Sequence, residues 1–206
     1  VHAAVVVAGG RSTRFGERDK AVASLAGTPL IRRVADRLAG PVESLVVNCR
    51  PAQRDAIADA LADYPRPVTY ALDAPDRAGE GPLAGMGAGL RATDAERAFV
   101  VACDVPFVDP AFVRYLFDRA AAREAAVPYR EGYPEPLHAV YEVEPALDAI
   151  ERALDGGRRR ADAALDALDA SAVREAAIGT HAAPGAFTNL NTRAALDAAE
   201  DRLRRR

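Results

Sequence analysis

Lysine is almost missing from this chain. A single one, Lys20, stands among 206 residues in which lysine and arginine together number 27. Lysine is ordinarily one of the commonest residue types, so the composition as a whole disfavours it. Under such a bias, the one that remains marks a position where arginine does not serve. Lysine carries a compact, rotatable point charge, arginine a rigid planar fork. Long apolar runs are missing too. The run Ala3 to Ala8 is far shorter than the roughly 20 residues of a membrane-spanning helix. It lacks a preceding basic residue and leads straight into glycines, unlike a signal peptide. The expectation is a cytoplasmic chain with no membrane contact. Two cysteines, Cys49 and Cys103, are too few for a disulfide framework or a zinc site. Each ends an apolar run and reads as a small core residue in a reducing compartment. No segment carries the basic excess of a general nucleic-acid binder. The net charge is −3 with both signs interleaved. Arg202, Arg204, Arg205 and Arg206 read as a solvated helix end, where cations suit the helix dipole.

What is present alternates. Apolar, largely β-branched runs are expected as strands at Ala3–Ala8, Ser44–Asn48, Val68–Leu72 and Ala98–Cys103. Shorter strands follow near Ala125–Tyr129, Leu137–Glu142 and Val173–Ile178. Helical patterns lie between them: Pro29–Leu38, Ala52–Ala62, Pro82–Arg91, Pro110–Ala122, Pro145–Leu154, Ala161–Leu168 and Thr192–Arg204. Continuous apolar strands are buried on both faces, which means an α/β fold with a mostly parallel sheet and helices on both sides. Ligands of such sheets bind beyond the carboxyl ends of the strands. The polar motifs of this chain begin at those ends. The length suffices for one such domain, and no linker or sustained repeat interrupts it.

The first strand runs into Val7-Ala8-Gly9-Gly10-Arg11-Ser12-Thr13-Arg14-Phe15-Gly16-Glu17-Arg18-Asp19-Lys20. Glycines there let backbone N–H groups approach a phosphate or a base closely, and Arg14 and Lys20 can neutralise a polyphosphate. The alternative is a glycine turn with two incidental cations. The pattern is neither a P-loop nor a dinucleotide fingerprint. After the fourth strand comes Cys103-Asp104-Val105-Pro106-Phe107. Asp is rarely buried unless paired or metal-bound, and a hard cation such as Mg²⁺ takes carboxylate, phosphate and water oxygens. A turn aspartate is the competing reading of Asp104. Asp109, before Pro110, reads as a helix N-cap. Asn48 and Asp73 close two further strands, and alone each reads as a turn residue. Gly81-Pro82-Leu83-Ala84-Gly85 opens a helix in which Gly85 and Gly89 stand one turn apart, suited to close helix-on-sheet packing. Later come Pro136-Leu137-His138-Ala139, Gly156-Gly157-Arg158-Arg159 and Phe187-Thr188-Asn189-Leu190-Asn191-Thr192, with Thr192 placed to cap the last helix. No Ser or Cys nucleophile stands in a recognisable motif, so His138 is not expected to be a catalytic base.

Taken in order, the first loop, G-P-L-A-G and C-D-V-P-F resemble the motifs of the molybdenum cofactor guanylyltransferases, the MobA family, over Val7 to Thr192. The resemblance implies a single Rossmann-like (GT-A-like) nucleotidyltransferase domain over residues 1–206. It implies transfer of GMP from GTP to molybdopterin carrying molybdenum, with Mg²⁺ as cofactor. Lys20, Arg14 and Asp104 would be catalytic, with Asp104 the metal ligand. Val7, Ala8, Gly9, Gly10, Lys20, Asn48, Asp73, Gly81, Pro82, Leu83 and Asp104 would contact the nucleotide. Asn189 and Asn191 would border the acceptor, and Arg158 and Arg159 would stand near its phosphate unless they are a solvated basic run. Transient contact with cofactor-insertion proteins or molybdoenzymes is a further implication. Gly9 fits the guanylyl form, where related enzymes usually carry Ala-Ala-Gly. Arg193 stands where the family usually has proline. Rival readings are CMP transfer to the same acceptor, transfer to a small phosphorylated acid or sugar, and a non-catalytic carrier of the cofactor.

Overall fold

The computed structural model describes residues 1–10, 19–73 and 81–204. Its centre is a sheet built from strands β1 (His2–Val7), β4 (Ser44–Cys49), β5 (Val68–Leu72), β6 (Arg97–Ala102), β7 (Ala125–Arg130), β9 (His138–Glu142) and β10 (Ala170–Val173). The short β8 (Tyr133–Pro134) pairs with β7. Across the sheet the order is β5-β4-β1-β6-β9-β7-β10. All neighbours in this row are parallel except at β9, which runs antiparallel to both β6 and β7. The mostly parallel α/β sheet expected from the apolar runs is therefore the one observed.

Both faces of this sheet are buried, and the pleat distributes them by parity. From β1, Ala4 and Val6 face one core with the helices α1 (Leu30–Leu38) and α4 (Pro110–Ala120). Ala3, Val5 and Val7 face the opposite core with α3 (Pro82–Arg91) and α5 (Val143–Asp155). The helix α2 (Arg54–Ala60) joins the first layer through Ile57. Glycine costs a helix roughly 1 kcal/mol relative to alanine, yet α3 carries Gly85, Gly87 and Gly89. The reason is distance. A Cβ on Gly89 would overlap Val5 Cγ1, and one on Gly85 would overlap Asn48 Oδ1. The small-residue face lets α3 lie directly on β1 and β4.

A third, smaller cluster holds the C-terminal helix α7 (Arg193–Arg204). Leu196 and Ala199 of α7 pack with Leu25, Leu30 and Leu190. Leu25 belongs to a hairpin, β2 (Ser24–Leu25) and β3 (Thr28–Pro29), that the sequence patterns did not announce. Its two-residue loop has positive φ at Ala26 (49°) and Gly27 (79°), as the right-handed twist of hairpin strands favours. Two further differences concern the C-terminal third. The strand expected at Val173–Ile178 lies instead at 170–173, and Glu175–His181 is a helix, α6. Glu175 sits in the first turn of α6, where its charge suits the helix dipole, and the Ala-Ala that follows favours helix over strand. The stretch Ala161–Ala167 is a 3₁₀ rather than an α-helix. Among the described residues, no helix is long and apolar enough to cross a membrane.

Candidate functional site

Strands β5, β4, β1 and β6 are parallel, so their carboxyl ends share one edge. Chain connections from β1 run outward to β4 and β5 on one side, and β6 lies on the other. That reversal leaves a crevice between the ends of β1 and β6, where ligands of doubly wound sheets bind. Gly9 and Gly10 follow β1, Asn48 lies near the end of β4, Asp73 follows β5, and Asp104 follows β6. Four dispersed sequence motifs are thus brought to one place.

On the β1 side the contacts are tight. Asn48 is fully buried; its Nδ2 donates to Asp73 Oδ1 at 2.7 Å and to the Ala71 carbonyl at 3.2 Å. Its Oδ1 has no hydrogen-bond partner among the described residues. A Cβ on Gly9 would stand 2.5 Å from Asp73 Oδ2 and 3.1 Å from Asn48 Oδ1, so no side chain fits there. Behind this edge, Gln53 Nε2 donates to the Ala8 carbonyl at 3.1 Å, while the Ala8 N–H donates to the Asn48 carbonyl at 2.8 Å. Both backbone groups of Ala8 are therefore engaged by protein. The Val7 side chain packs into the core, and its carbonyl accepts from the Cys103 N–H at 3.1 Å. Gly10 stands at the rim, exposed. Arg14 lies outside the described residues.

The β6 side carries the charge. Asp104 is 7 % exposed. Its Oδ2 is ion-paired with the ammonium of Lys20, and the same ammonium donates to Asn191 Oδ1 at 2.5 Å. Lys20 is held on a short 3₁₀ turn whose N-cap, Asp19, accepts from the Ala21 N–H at 3.0 Å and pairs with Arg50 at 3.3 Å. The Leu190 N–H donates to the Asp104 carbonyl at 2.9 Å, so the segment with both asparagines is tied to the carboxylate's own peptide. Asp109 and Thr192 act as helix N-caps, as expected: their side chains accept from the N–H groups of Ala111 and Ala195.

Whether a divalent cation suits this site turns on Asp104 Oδ1. That oxygen is buried and has no hydrogen-bond partner among the described residues, so a hard donor atom stands ready. No group of three or more Asp, Glu, His or Cys among the described residues could cage a metal. One carboxylate oxygen, completed by substrate phosphates and water, is how Mg²⁺ is usually held. The donor set fits that cation.

A cleft of about 570 Å³ opens beside Asp104. Gly81, Pro82, Asp104, Asn189, Asn191 and Arg159 line it. Leu83 does not; it is fully buried under the sheet with Met86 and Leu90. Arg158 does not either. It faces an adjoining depression of about 330 Å³ and pairs with Asp166 at 2.7 Å. Sequence reasoning missed Arg160, which lines both hollows, and Pro134; Pro136, His138 and Phe187, named there only as motif residues, line the cleft as well.

His138 is buried, and both its ring nitrogens lack a hydrogen-bond partner among the described residues. Burial first, then the nearby Arg130, with Asp109 opposing, push its pKa from the usual 6.5 down to about 3. Between those values the unfolded chain binds a proton that the folded chain refuses. Stability should be complete above about pH 6.5 and fall as pH drops through this window, by up to about 1.4 kcal/mol per unit. Urea unfolding at about pH 7.5 and about pH 5 should therefore cost the native chain roughly 2 kcal/mol more than a His138→Phe variant. Equal losses would mean that His138 takes up its proton in the folded state at an ordinary pH.

Known proteins bear on this geometry. The family model described as "MobA-like NTP transferase domain" matches residues 4–171, which contain every strand end of the crevice. The chain belongs to this family. This MobA-like chain is 44 % identical over 200 residues to the "Probable molybdenum cofactor guanylyltransferase" of Natronomonas pharaonis, covering 97 % of the chain and 96 % of the relative. It is 32 % identical over 170 residues to the "Molybdenum cofactor guanylyltransferase" of Pseudomonas putida GB-1, covering 78 % and 80 %. Among solved structures it matches the molybdopterin-guanine dinucleotide biosynthesis protein A of Archaeoglobus fulgidus with a TM-score of 0.78 and 29 % identity, over all of both chains. A nucleotidyl transferase of Methanothermobacter thermautotrophicus shares the MobA-like fold at a TM-score of 0.73, with 19 % identity.

Proposed function

We propose that residues 1–206 form a single catalytic domain that transfers GMP from GTP to the terminal phosphate of molybdopterin carrying molybdenum. A phosphate oxygen of the acceptor attacks the α-phosphorus, the bond from that phosphorus to the β-bridging oxygen breaks, and pyrophosphate leaves. The nucleophile is already an anion, so no general base is required. The observation that carries the reading is the Lys20 ammonium shared between Asp104 and Asn191. It joins the glycine loop, the strand-end carboxylate and the acceptor-side asparagine in one cluster, inside a chain closely related to named guanylyltransferases.

In this reading Gly9 and Gly10 offer backbone to the nucleotide, and Asn48 and Asp73 offer an amide and a carboxylate to the guanine edge. Lys20 and Arg14 neutralise the leaving pyrophosphate. Asp104 would hold Mg²⁺ through its unpartnered Oδ1, and the cation would supply charge neutralisation at the phosphates. Asn189, Asn191 and Arg159 receive the acceptor. Two free, buried thiols, Cys49 and Cys103, suit a reducing cytoplasm.

Isothermal calorimetry with Mg²⁺ and GTP, then CTP and ATP, tests the reading. GTP is expected to bind at least about tenfold more tightly than either rival. Preference for CTP would keep the chemistry and change the product to a cytosine dinucleotide. Binding of none would favour a carrier.

A further inference from the structure

His138 stands where packing alone does not explain an imidazole. Its ring lies 4.2 Å from that of Phe187 and 5.3 Å from that of Phe99, centroid to centroid. A phenylalanine would satisfy such neighbours without desolvating two ring nitrogens, and a polar atom buried unpaired costs about 1–3 kcal/mol. His138 is also one of the residues that line the 570 Å³ cleft beside Asp104, Asn189 and Asn191, and a small turn of its ring would bring a nitrogen to that cleft. In the sheet His138 is paired with Val101, so it sits one strand away from the chain that delivers Asp104. A nearly buried, unpartnered polar side chain and the charged cluster thus share one cavity.

We propose that His138 is an acceptor-recognition residue: it exchanges a hydrogen bond with the nitrogen-rich heterocycle of the acceptor, seated in the cleft against Phe187, while the acceptor's phosphate reaches Lys20 and Arg159. This rests on the reading of the chain as a transferase to a pterin. A neutral imidazole presents one N–H donor and one acceptor nitrogen, which matches the alternating donors and acceptors on a pterin ring. Pro134, Pro136 and Phe187 supply the apolar walls, and such walls discriminate poorly among flat rings. A buried polar group discriminates far better, because a ring without the matching atom leaves it unpaired. Arg130, whose guanidinium lies 5.1 Å from the Phe187 centroid, opposes protonation of the imidazole. The phosphate end of the acceptor is thereby left to Lys20 and Arg159.

The test compares the native chain with His138→Phe and His138→Gln. GTP affinity is measured by calorimetry, folding by thermal unfolding, and transfer with molybdenum-loaded molybdopterin at saturating GTP. His138→Phe is expected to raise the KM for the acceptor about tenfold or more, with GTP affinity and kcat within about twofold. His138→Gln, which keeps a donor and an acceptor, should recover part of that loss. The chain has three histidines, so ¹⁵N-histidine NMR resolves the ring directly. Adding tetrahydropterin should shift the His138 nitrogens and leave those of His2 and His181 in place. Unchanged acceptor KM in the glutamine and phenylalanine variants, or His138 nitrogens that ignore tetrahydropterin, would overturn the proposal and leave an internal water as their partner. Should the phenylalanine variant fail to fold, the glutamine variant and the NMR titration decide. Absence of GMP transfer by the native chain would instead overturn the functional reading, and the pterin titration would still judge His138.

Discussion

Lys20→Ala is expected to lower kcat for GMP transfer about 10²- to 10³-fold, the loss typical of one preorganised group that meets developing charge. The Lys20 side chain is 14 % exposed and its ammonium is already ion-paired with Asp104, so little reorganisation is required when phosphate charge arrives. Lys20→Arg should recover only a minor share of the rate. A planar fork needs two acceptors in its plane, whereas the ammonium here contacts Asp104 and Asn191, which approach from different segments of the chain. Steady-state kinetics with both variants, beside calorimetry with GTP, separates lost binding from lost rate. Unchanged turnover in Lys20→Ala would remove the lysine from the mechanism. Stability carries a second signature. Removing the lysine leaves a nearly buried carboxylate with less compensation, at about 1–3 kcal/mol. Adding Asp104→Asn should return part of that stability, because the two residues share one interaction.

Asp104→Asn is expected to cost a similar 10²- to 10³-fold in kcat. Its distinguishing result lies in binding. The carboxylate has one oxygen on Lys20 and one without a partner among the described residues. If the latter holds a divalent cation, the substitution weakens GTP binding in the presence of Mg²⁺ and changes it little in its absence. Calorimetry under the two conditions reads this difference. An equal change in both would mean that Asp104 serves only as the counter-ion of Lys20. Because the pair acts as a unit, the double variant should be little slower than the worse single one.

Composition alone points to Lys20, since a chain poor in lysine keeps one where arginine does not serve, and the residue stands at the centre of the charged cluster. Gly9 and Asp104 are legible as strand-end residues because β1 and β6 are continuous apolar runs, whereas Asn48 and Asp73 read alone as turn residues and stand out only through the family resemblance. Legibility failed where neighbours in sequence point in different directions. Arg158 and Arg159 look equivalent in a run of three arginines, yet only the second faces the cleft. Leu83 stands inside the right motif but belongs to its buried side. The hairpin at 24–29 is built from two-residue strands, too short for any periodicity, and Leu25 is buried largely by residues distant in sequence, Leu190, Leu196 and Ala199, beside Leu30. His138 was noticed and dismissed as a base, since a histidine without a nucleophile offers no chemistry of that kind. Its burial among Phe99, Phe112 and Phe187 is a tertiary fact.

Lys20 and Asn191 lie 171 positions apart. On a ribosome adding about 5–20 residues per second, the interval between them is roughly 9–34 s. The four strand ends are translated by Asp104, while Asn189 and Asn191, proposed for the acceptor, follow much later. Under the proposed roles, a nascent chain holds the nucleotide-side strand ends well before the acceptor-side asparagines. Capture of the acceptor is then expected to await docking of α7 on Leu25 and Leu30.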